Sequence, residues 1–414
     1  REGKPLTRGA TTEHTLLNAG FNLLGTSLAA QEYWDNHRAL DYLLTRKDID
    51  SERIGVYGSS GGGTQTAYYI GLDPRVKVAA ICSFFSTRER TMELQGPSDG
   101  CQHIPYEGRE QLEVPDFALM MAPRPLLILS GKYDFVDLWG AQQGFAELQQ
   151  CYKVLGVPEK VDMLTVETGH GLGAEKRQKL ASWFKRWLKD NQSPVKKAAQ
   201  DRFQLSDMLC TTKGQVNVSM PGALSIMQDE WASKREAFLS KGKKTVQTKM
   251  LDLLGLKGLP DHKIRIEATG HDSMREYEQY KFQLIREGEM PVPCILIMPS
   301  RANADSPVEL RLQEEGKGTY LSEYANFAAA LTEGKILLLA DLRGLGETTD
   351  PAFYTDAKYW NREYRNAMIS MHIGRPIMGQ RVVDILTLLD FCSEHEFLKG
   401  HPVKVFANGI YGPV

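Results

Sequence analysis

The six cysteines of this 414-residue chain form no Cys-x-x-Cys pair and no dense framework, so thiol-pair redox and clustered-thiolate chemistry are not expected and the redox compartment stays open. No apolar run is long enough to cross a bilayer, so no membrane span is expected. Neither sign of charge is in excess: 50 Lys and Arg stand against 52 Asp and Glu, a net charge of −2, and no basic patch points to nucleic acid. Gly61-Gly62-Gly63-Thr64 lacks the lysine that a phosphate-cradling loop needs, so no nucleotide or other cofactor is expected. His395, Glu396 and His401 miss the i, i+4 spacing that lets two histidines share a helix face, and no metal is expected. What remains is 42% hydrophobic and 25% charged residues, a globular composition in a chain long enough for two domains.

One join stands out. The apolar run Ile54-Gly55-Val56-Tyr57 passes directly into Gly58-Ser59-Ser60-Gly61-Gly62. A strand that turns this sharply into a helix holds the turn residue at strained backbone angles, so its neighbours must be small, and here they are Gly58, Gly61, Gly62 and Gly63. A Gly-x-Ser-x-Gly turn of this kind displays a serine nucleophile, which makes Ser60 the candidate.

A hydroxyl needs a base, and the base needs an orienting carboxylate. The buried-strand pattern Pro125-Leu126-Leu127-Ile128-Leu129 empties into Ser130-Gly131-Lys132-Tyr133-Asp134, placing Asp134 at a strand's carboxyl end. The next such run, Val161 to Glu167, ends in Thr168-Gly169-His170-Gly171, with His170 on a glycine-flanked loop. Each has a plainer reading, Asp134 as a helix N-cap and His170 as a surface residue. Asp137 is a fallback for the acid. Between the strands lie amphipathic helices: Tyr33, Leu40, Leu43 and Leu44; Phe145, Leu148, Tyr152 and Leu155; Leu180, Trp183, Phe184, Trp187 and Leu188. With a further strand over Val76 to Phe85, the alternation predicts an α/β fold with a doubly wound, mostly parallel sheet.

The order Ser, Asp, His, each just beyond a strand, is that of the α/β-hydrolase triad. Residues 1 to about 190 resemble the later half of an α/β hydrolase. The likeness is closer to acetylxylan esterase-like bacterial proteins of the prolyl-oligopeptidase-type superfamily. It is carried by Ile54 to Ala67, by Asp116-Phe117 before Ala122-Pro123-Arg124-Pro125, and by Gly169-His170-Gly171. The resemblance implies a serine esterase acting on acetyl or related esters of carbohydrate, in the periplasm or outside the cell. Ser60 would be the nucleophile, His170 the base, Asp134 its orienter, and the Gly61 N–H an oxyanion donor. His103 and Trp139 are candidates to contact substrate, with exposed loop the plainer reading. A prolyl-oligopeptidase-type peptidase and a non-catalytic carbohydrate-binding pseudoenzyme are the alternatives.

The chain is expected to divide into a hydrolase domain (1–192), a linker (193–235) and a second hydrolase-like domain (236–414). Polar residues through Lys196, Lys197 and Gln200 open the linker. Strands are then expected at Tyr280 to Ile285, Pro293 to Met298, Val308 to Leu312 and Ile336 to Ala340, the last followed by Asp341-Leu342-Arg343-Gly344-Leu345-Gly346. That pattern resembles the fourth strand of an α/β hydrolase and its exit loop. Arg38 to Leu43 before the first elbow has a counterpart in Arg381 to Leu386 before Val403-Lys404-Val405-Phe406, which an internal duplication explains. Aligning the two puts Gly409 in the position of Ser60, so the second domain is expected to lack triad chemistry. Too few strands precede Ile54 for an intact domain, so the chain is expected to be a fragment of two tandem domains, or to pair its halves as one permuted sheet.

Overall fold

The structure is a computed structural model that describes residues 10–96, 98–195, 203–211, 214, 220–257, 263–351, 363–409 and 412. The backbone divides into two units, residues 1–241 with 372–374, and residues 242–371 with 375–414.

In the first unit, α1 (Ala10–Leu23) and α2 (Leu28–Thr45) precede β1 (Gly55–Ser59), α3 (Gly61–Ile70), β2 (Val78–Cys82), α4 (Arg88–Gln95) and α5 (Val114–Leu119). Then come β3 (Leu126–Gly131), α6 (Leu138–Val154), β4 (Val161–Val166), α7 (Ala174–Lys189) and α8 (Ala223–Leu239). The four strands form one wholly parallel sheet in chain order. β2 and β3 are buried along their whole length, which is why they read as unbroken apolar runs. One face buries Ala79, Ile81, Leu126 and Ile128 with Leu40, Tyr69, Ile70, Leu148 and Tyr152 from the helices. The other face buries Val78, Ala80, Leu127 and Leu129 against Leu180 and Trp183 of α7. Two expected core positions, Leu43 and Leu155, are instead exposed: each stands at or next to a helix end, beyond the sheet's edge of cover. The Ala122-Pro123-Arg124-Pro125 motif serves packing. The Arg124 guanidinium donates to the carbonyls of Ile70 (3.0 Å), Asp73 (2.9 Å) and Val76 (2.7 Å), tying the end of α3 to the start of β3.

Lys196, Lys197 and Gln200 lie outside the described residues. The segment 193–235 is not all connection, because α8 forms within it and lays the buried Met227 against Gly20 of α1.

The second unit contains α9 (Lys243–Leu253), β5 (Arg265–Ser273), β6 (Tyr277–Ile285), β7 (Val292–Pro299), β8 (Val308–Leu312), α10 (Lys317–Leu321) and α11 (Ala325–Thr332). It continues with β9 (Ile336–Ala340), α12 (Glu363–His372), α13 (Ile377–Glu394) and β10 (Val403–Ala407). Its sheet is mixed, in the order β10-β8-β9-β7-β6-β5, with β10, β8 and β9 parallel and the remaining pairs antiparallel. The strands thus make two separate sheets, and the permuted single sheet is not formed. After β9, the Asp-x-Arg-Gly loop is held by ion pairs: Lys317 Nζ meets Asp341 at 2.6 Å, and Arg343 Nη2 meets Asp384 at 2.5 Å.

Candidate active site

Ser60 sits at the turn between β1 and α3 with φ 58° and ψ −121°, a conformation that costs a residue with a side chain of order 1–3 kcal/mol. Backbone bonds hold it there: Ser60 N donates to Cys82 O (3.0 Å), and Thr64 N donates to Ser60 O (3.0 Å). Two of the four neighbouring glycines are sterically required. A Cβ on Gly58 would collide with the Gly62 carbonyl, and one on Gly63 would stand 2.6 Å from the Cys82 carbonyl oxygen. Gly61 and Gly62 face open space. Their N–H groups open α3, where the helix dipole favours negative charge.

Asp134 follows β3 and His170 follows β4. The carboxylate Oδ1 lies 2.8 Å from His170 Nδ1 and accepts from the Val136 N–H at 3.1 Å. The Asp134 side chain is 1% exposed and that of His170 29%, so the pair has a buried acid and an accessible ring. Burial would raise the Asp134 carboxyl, but hydrogen bonding to His170, the Val136 N–H and the Ser83 hydroxyl outweighs it and holds the group below its ordinary range. Gly131 lets the histidine loop pass, since a Cβ there would meet Thr168 O at 2.6 Å. Tyr133 N donates to the same oxygen (3.1 Å). Phe135 stacks on the imidazole, with centroids 4.2 Å apart.

The structure therefore brings Asp134 and His170 together. Among the described residues no hydrogen bond joins Ser60 Oγ to His170. Asp137, the fallback acid, is occupied elsewhere: its Oδ2 accepts from Gly140 N–H (2.7 Å) as the N-cap of α6 and lies 3.3 Å from Arg90 Nε. Trp139 is 55% exposed on the first turn of α6, with the Arg90 guanidinium 5.2 Å from its ring centroid. His103 departs from the expectation of a roof over the site. It is buried, and burial, with the Arg88 charge adding, pushes its imidazole well below the usual range. The segment around it belongs to a buried polar scaffold, in which Arg88 donates to Tyr68 Oη (2.7 Å) and pairs with Glu107 (3.3 Å).

Two residues at the site escaped the sequence reading. Ser83, at φ 49° just after β2, accepts from Gly171 N–H (3.1 Å) and from Lys176 Nζ (3.3 Å). Lys176, 1% exposed, also donates to the Gly171 carbonyl (3.0 Å). A buried ammonium thus ties down the residue that follows His170. The signal was present: Lys176 lies on the same stripe of α7 as Leu180, Trp183 and Trp187, and a lysine on an apolar stripe needs partners.

Comparison with known proteins places this unit. The model of the prolyl oligopeptidase family matches residues 22–191. The provisionally named hydrolase YtaP of Bacillus subtilis is 26% identical over 168 residues, 40% of this chain and 56% of that protein. The chain thus spans little more than half the length of that curated relative. Among solved structures, a methylesterase is 28% identical, covering 39% of this chain and 36% of that one at a TM-score of 0.32. A glucuronoyl esterase from Caldicellulosiruptor kristjansonii is 19% identical, covering 42% and 53% at a TM-score of 0.34. One from Solibacter usitatus is 21% identical, covering 38% and 48% at 0.33. The first unit is an α/β domain, and the match to the prolyl oligopeptidase family spans the segment that holds Ser60, Asp134 and His170.

Proposed function

We propose that this protein is a serine esterase. Ser60 Oγ attacks the ester carbonyl, His170 takes its proton, and the developing oxyanion is held by the Gly61 N–H at the start of α3. The tetrahedral species then collapses: the alcohol leaves with the proton from His170, and an acyl group remains on Ser60. Water, deprotonated by His170, attacks the acyl enzyme, and as the second tetrahedral species collapses His170 returns that proton to Ser60 Oγ and the carboxylic acid leaves. Asp134 keeps the imidazole in the tautomer and orientation this cycle needs. The observation that carries the reading is the 2.8 Å Asp134–His170 bond on loops leaving β3 and β4, in the same parallel sheet whose β1 ends at the strained Ser60 turn.

Carbohydrate O-acyl esters, acetyl above all, are the proposed substrates. The likeness of the elbow and histidine-loop motifs to acetylxylan esterase-like proteins supports this, and Trp139 and Phe135, 55% and 62% exposed, offer aromatic faces on which a sugar ring can lie. The buried His103 has no part in it. A prolyl peptidase is the second reading, favoured by the family match over residues 22–191. Full-length protein should hydrolyse p-nitrophenyl acetate and O-acetylated xylan and leave a chromogenic prolyl amide intact. Turnover of the amide alone would replace esterase with peptidase, and turnover of none would leave neither.

A further inference from the structure

We propose that His14, Glu32 and Cys101 form a binding site for one divalent metal ion of the zinc class. The three residues come from separate elements: His14 from α1, Glu32 from α2, and Cys101 from the 3₁₀ turn Gly100–Gln102. One donor atom of each lies within 4.8 Å of the others. Ligands around a tetrahedral zinc, at bond lengths of about 2.0–2.3 Å, sit roughly 3.3–3.8 Å apart, so a small side-chain adjustment lets all three bind, with water in the fourth position.

The donors lack other employment. His14 Nδ1 is buried with no hydrogen-bond partner, and among the described residues no hydrogen bond or ion pair engages the Glu32 carboxylate. Cys101 is 3% exposed. Imidazole, carboxylate and thiolate together are the donor set of a borderline-soft cation and not of calcium or magnesium, which call for oxygen ligands throughout. The electrostatics agree. Burial, with Asp35 nearby, pushes Glu32 up to about 7, and burial, with the Glu32 charge, pushes the Cys101 thiol up to about 12.

The frame around the donors is already built. Asn18 Oδ1 accepts from Leu28 N–H (2.9 Å), and Thr15 Oγ1 accepts from Gly100 N–H (3.3 Å). A Cβ on Gly100 would stand 2.4 Å from the His14 carbonyl oxygen, so glycine there lets the cysteine's turn lie directly on α1. The ion would pin α1 and α2 to that turn. On binding, Cys101 gives up its proton as the metal–sulfur bond forms, so affinity should rise with pH.

Cobalt(II) is the probe. Titrated into reduced full-length protein at neutral pH, it should bind at one equivalent and give a thiolate-to-cobalt charge-transfer band in the near ultraviolet. The band should vanish in Cys101→Ser, and His14→Ala and Glu32→Gln should each weaken binding more than about 100-fold, beyond the effect of losing an outer-shell partner. Zinc should displace cobalt and raise the melting temperature of the wild type while leaving that of Glu32→Gln unchanged. Absence of the band, or zinc uptake that all three substitutions leave unaltered, overturns the proposal. The readouts do not involve esterase activity, so either reading can fail without the other.

Discussion

The two units end an edge strand in the same kind of turn, set among different neighbours. After β1 the left-handed position is Ser60 at φ 58°, and after β10 it is Gly409 at φ 59°. In the first unit the turn opens a ten-residue helix, and its flanking glycines clear the Gly62 and Cys82 carbonyls, so a side chain is tolerated at the cost of backbone strain. In the second, a Cβ on Gly409 would meet the Glu314 carboxylate, the end of an exposed side chain that would have to swing aside. A cleft of ≈ 1040 Å³ lies beside it, lined among others by Glu314, Glu315, Glu363 and Asn408. Matching backbone angles thus stand in two settings: the sheet of β1 carries the Asp134–His170 pair on loops after β3 and β4, and the turn after β10 faces Glu314 and the cleft.

That contrast can be broken in order of effect. Ser60→Ala should lower kcat by about 10⁶-fold, whereas Gly409→Ser should yield no compensating activity and should lower the melting temperature, because a side chain at φ 59° is strained. Esterase assays on the single and double variants check this. Activity regained in the double variant would erase the distinction between the turns.

The two aspartates of the β3 loop sharpen it next. Asp134→Asn should cost about 10⁴-fold in kcat through the lost tautomer control of His170. Asp137→Asn should leave kcat within a few-fold and change stability little, since asparagine still accepts from Gly140 N–H as the N-cap and only the part-exposed Arg90 pair is lost. A chemical melt beside the kinetics separates these outcomes.

Lys176→Met comes third. It removes the donor to the Gly171 carbonyl and Ser83, so kcat should fall roughly 10- to 100-fold with KM little changed, as expected for a positioning group one step from the base. Lys176→Arg should restore part of the loss. An unchanged kcat in the methionine variant would make the lysine merely structural.

The smallest effect concerns acid stability of the same unit. Burial would raise the Asp73 carboxyl, but hydrogen bonds from Arg75 (2.6 Å) and the Tyr69 hydroxyl (2.7 Å) outweigh it and hold its pKa well below the ordinary carboxylate value. Its folded pKa is depressed, so this contribution is complete above the unfolded carboxylate pKa of about 4 and is lost as pH falls below it. Asp73→Asn should therefore lower stability at pH 7 and flatten its decline between about pH 4 and 2. Denaturant melts at several pH values check it.

Most of the first unit was legible because parallel strands buried on both faces read as apolar runs, and the candidate site residues lie at their exits. β3 and β4 fall on the expected runs, and Asp134 and His170 meet. What was not legible depends on tertiary neighbours. His103 looked like a loop residue because nothing local in Cys101 to Pro105 announces its burial. Gly61 and Gly62 seemed as necessary as Gly58 and Gly63, and only the path of the Cys82 and Gly62 carbonyls tells them apart. His14, Glu32 and Cys101 have no spacing rule to join them, since three elements bring them into reach. In the second unit, the turn aligned with that of Ser60 does hold a left-handed residue at Gly409, while the Glu314 side chain beside it was not legible.

Labelling full-length protein with a fluorophosphonate and mapping the modified peptide by mass spectrometry tests the central claim most directly, because only an activated serine reacts. The account predicts one adduct, on Ser60, absent from Ser60→Ala and strongly reduced in His170→Ala. An adduct on a different serine, or none on folded protein, would contradict it.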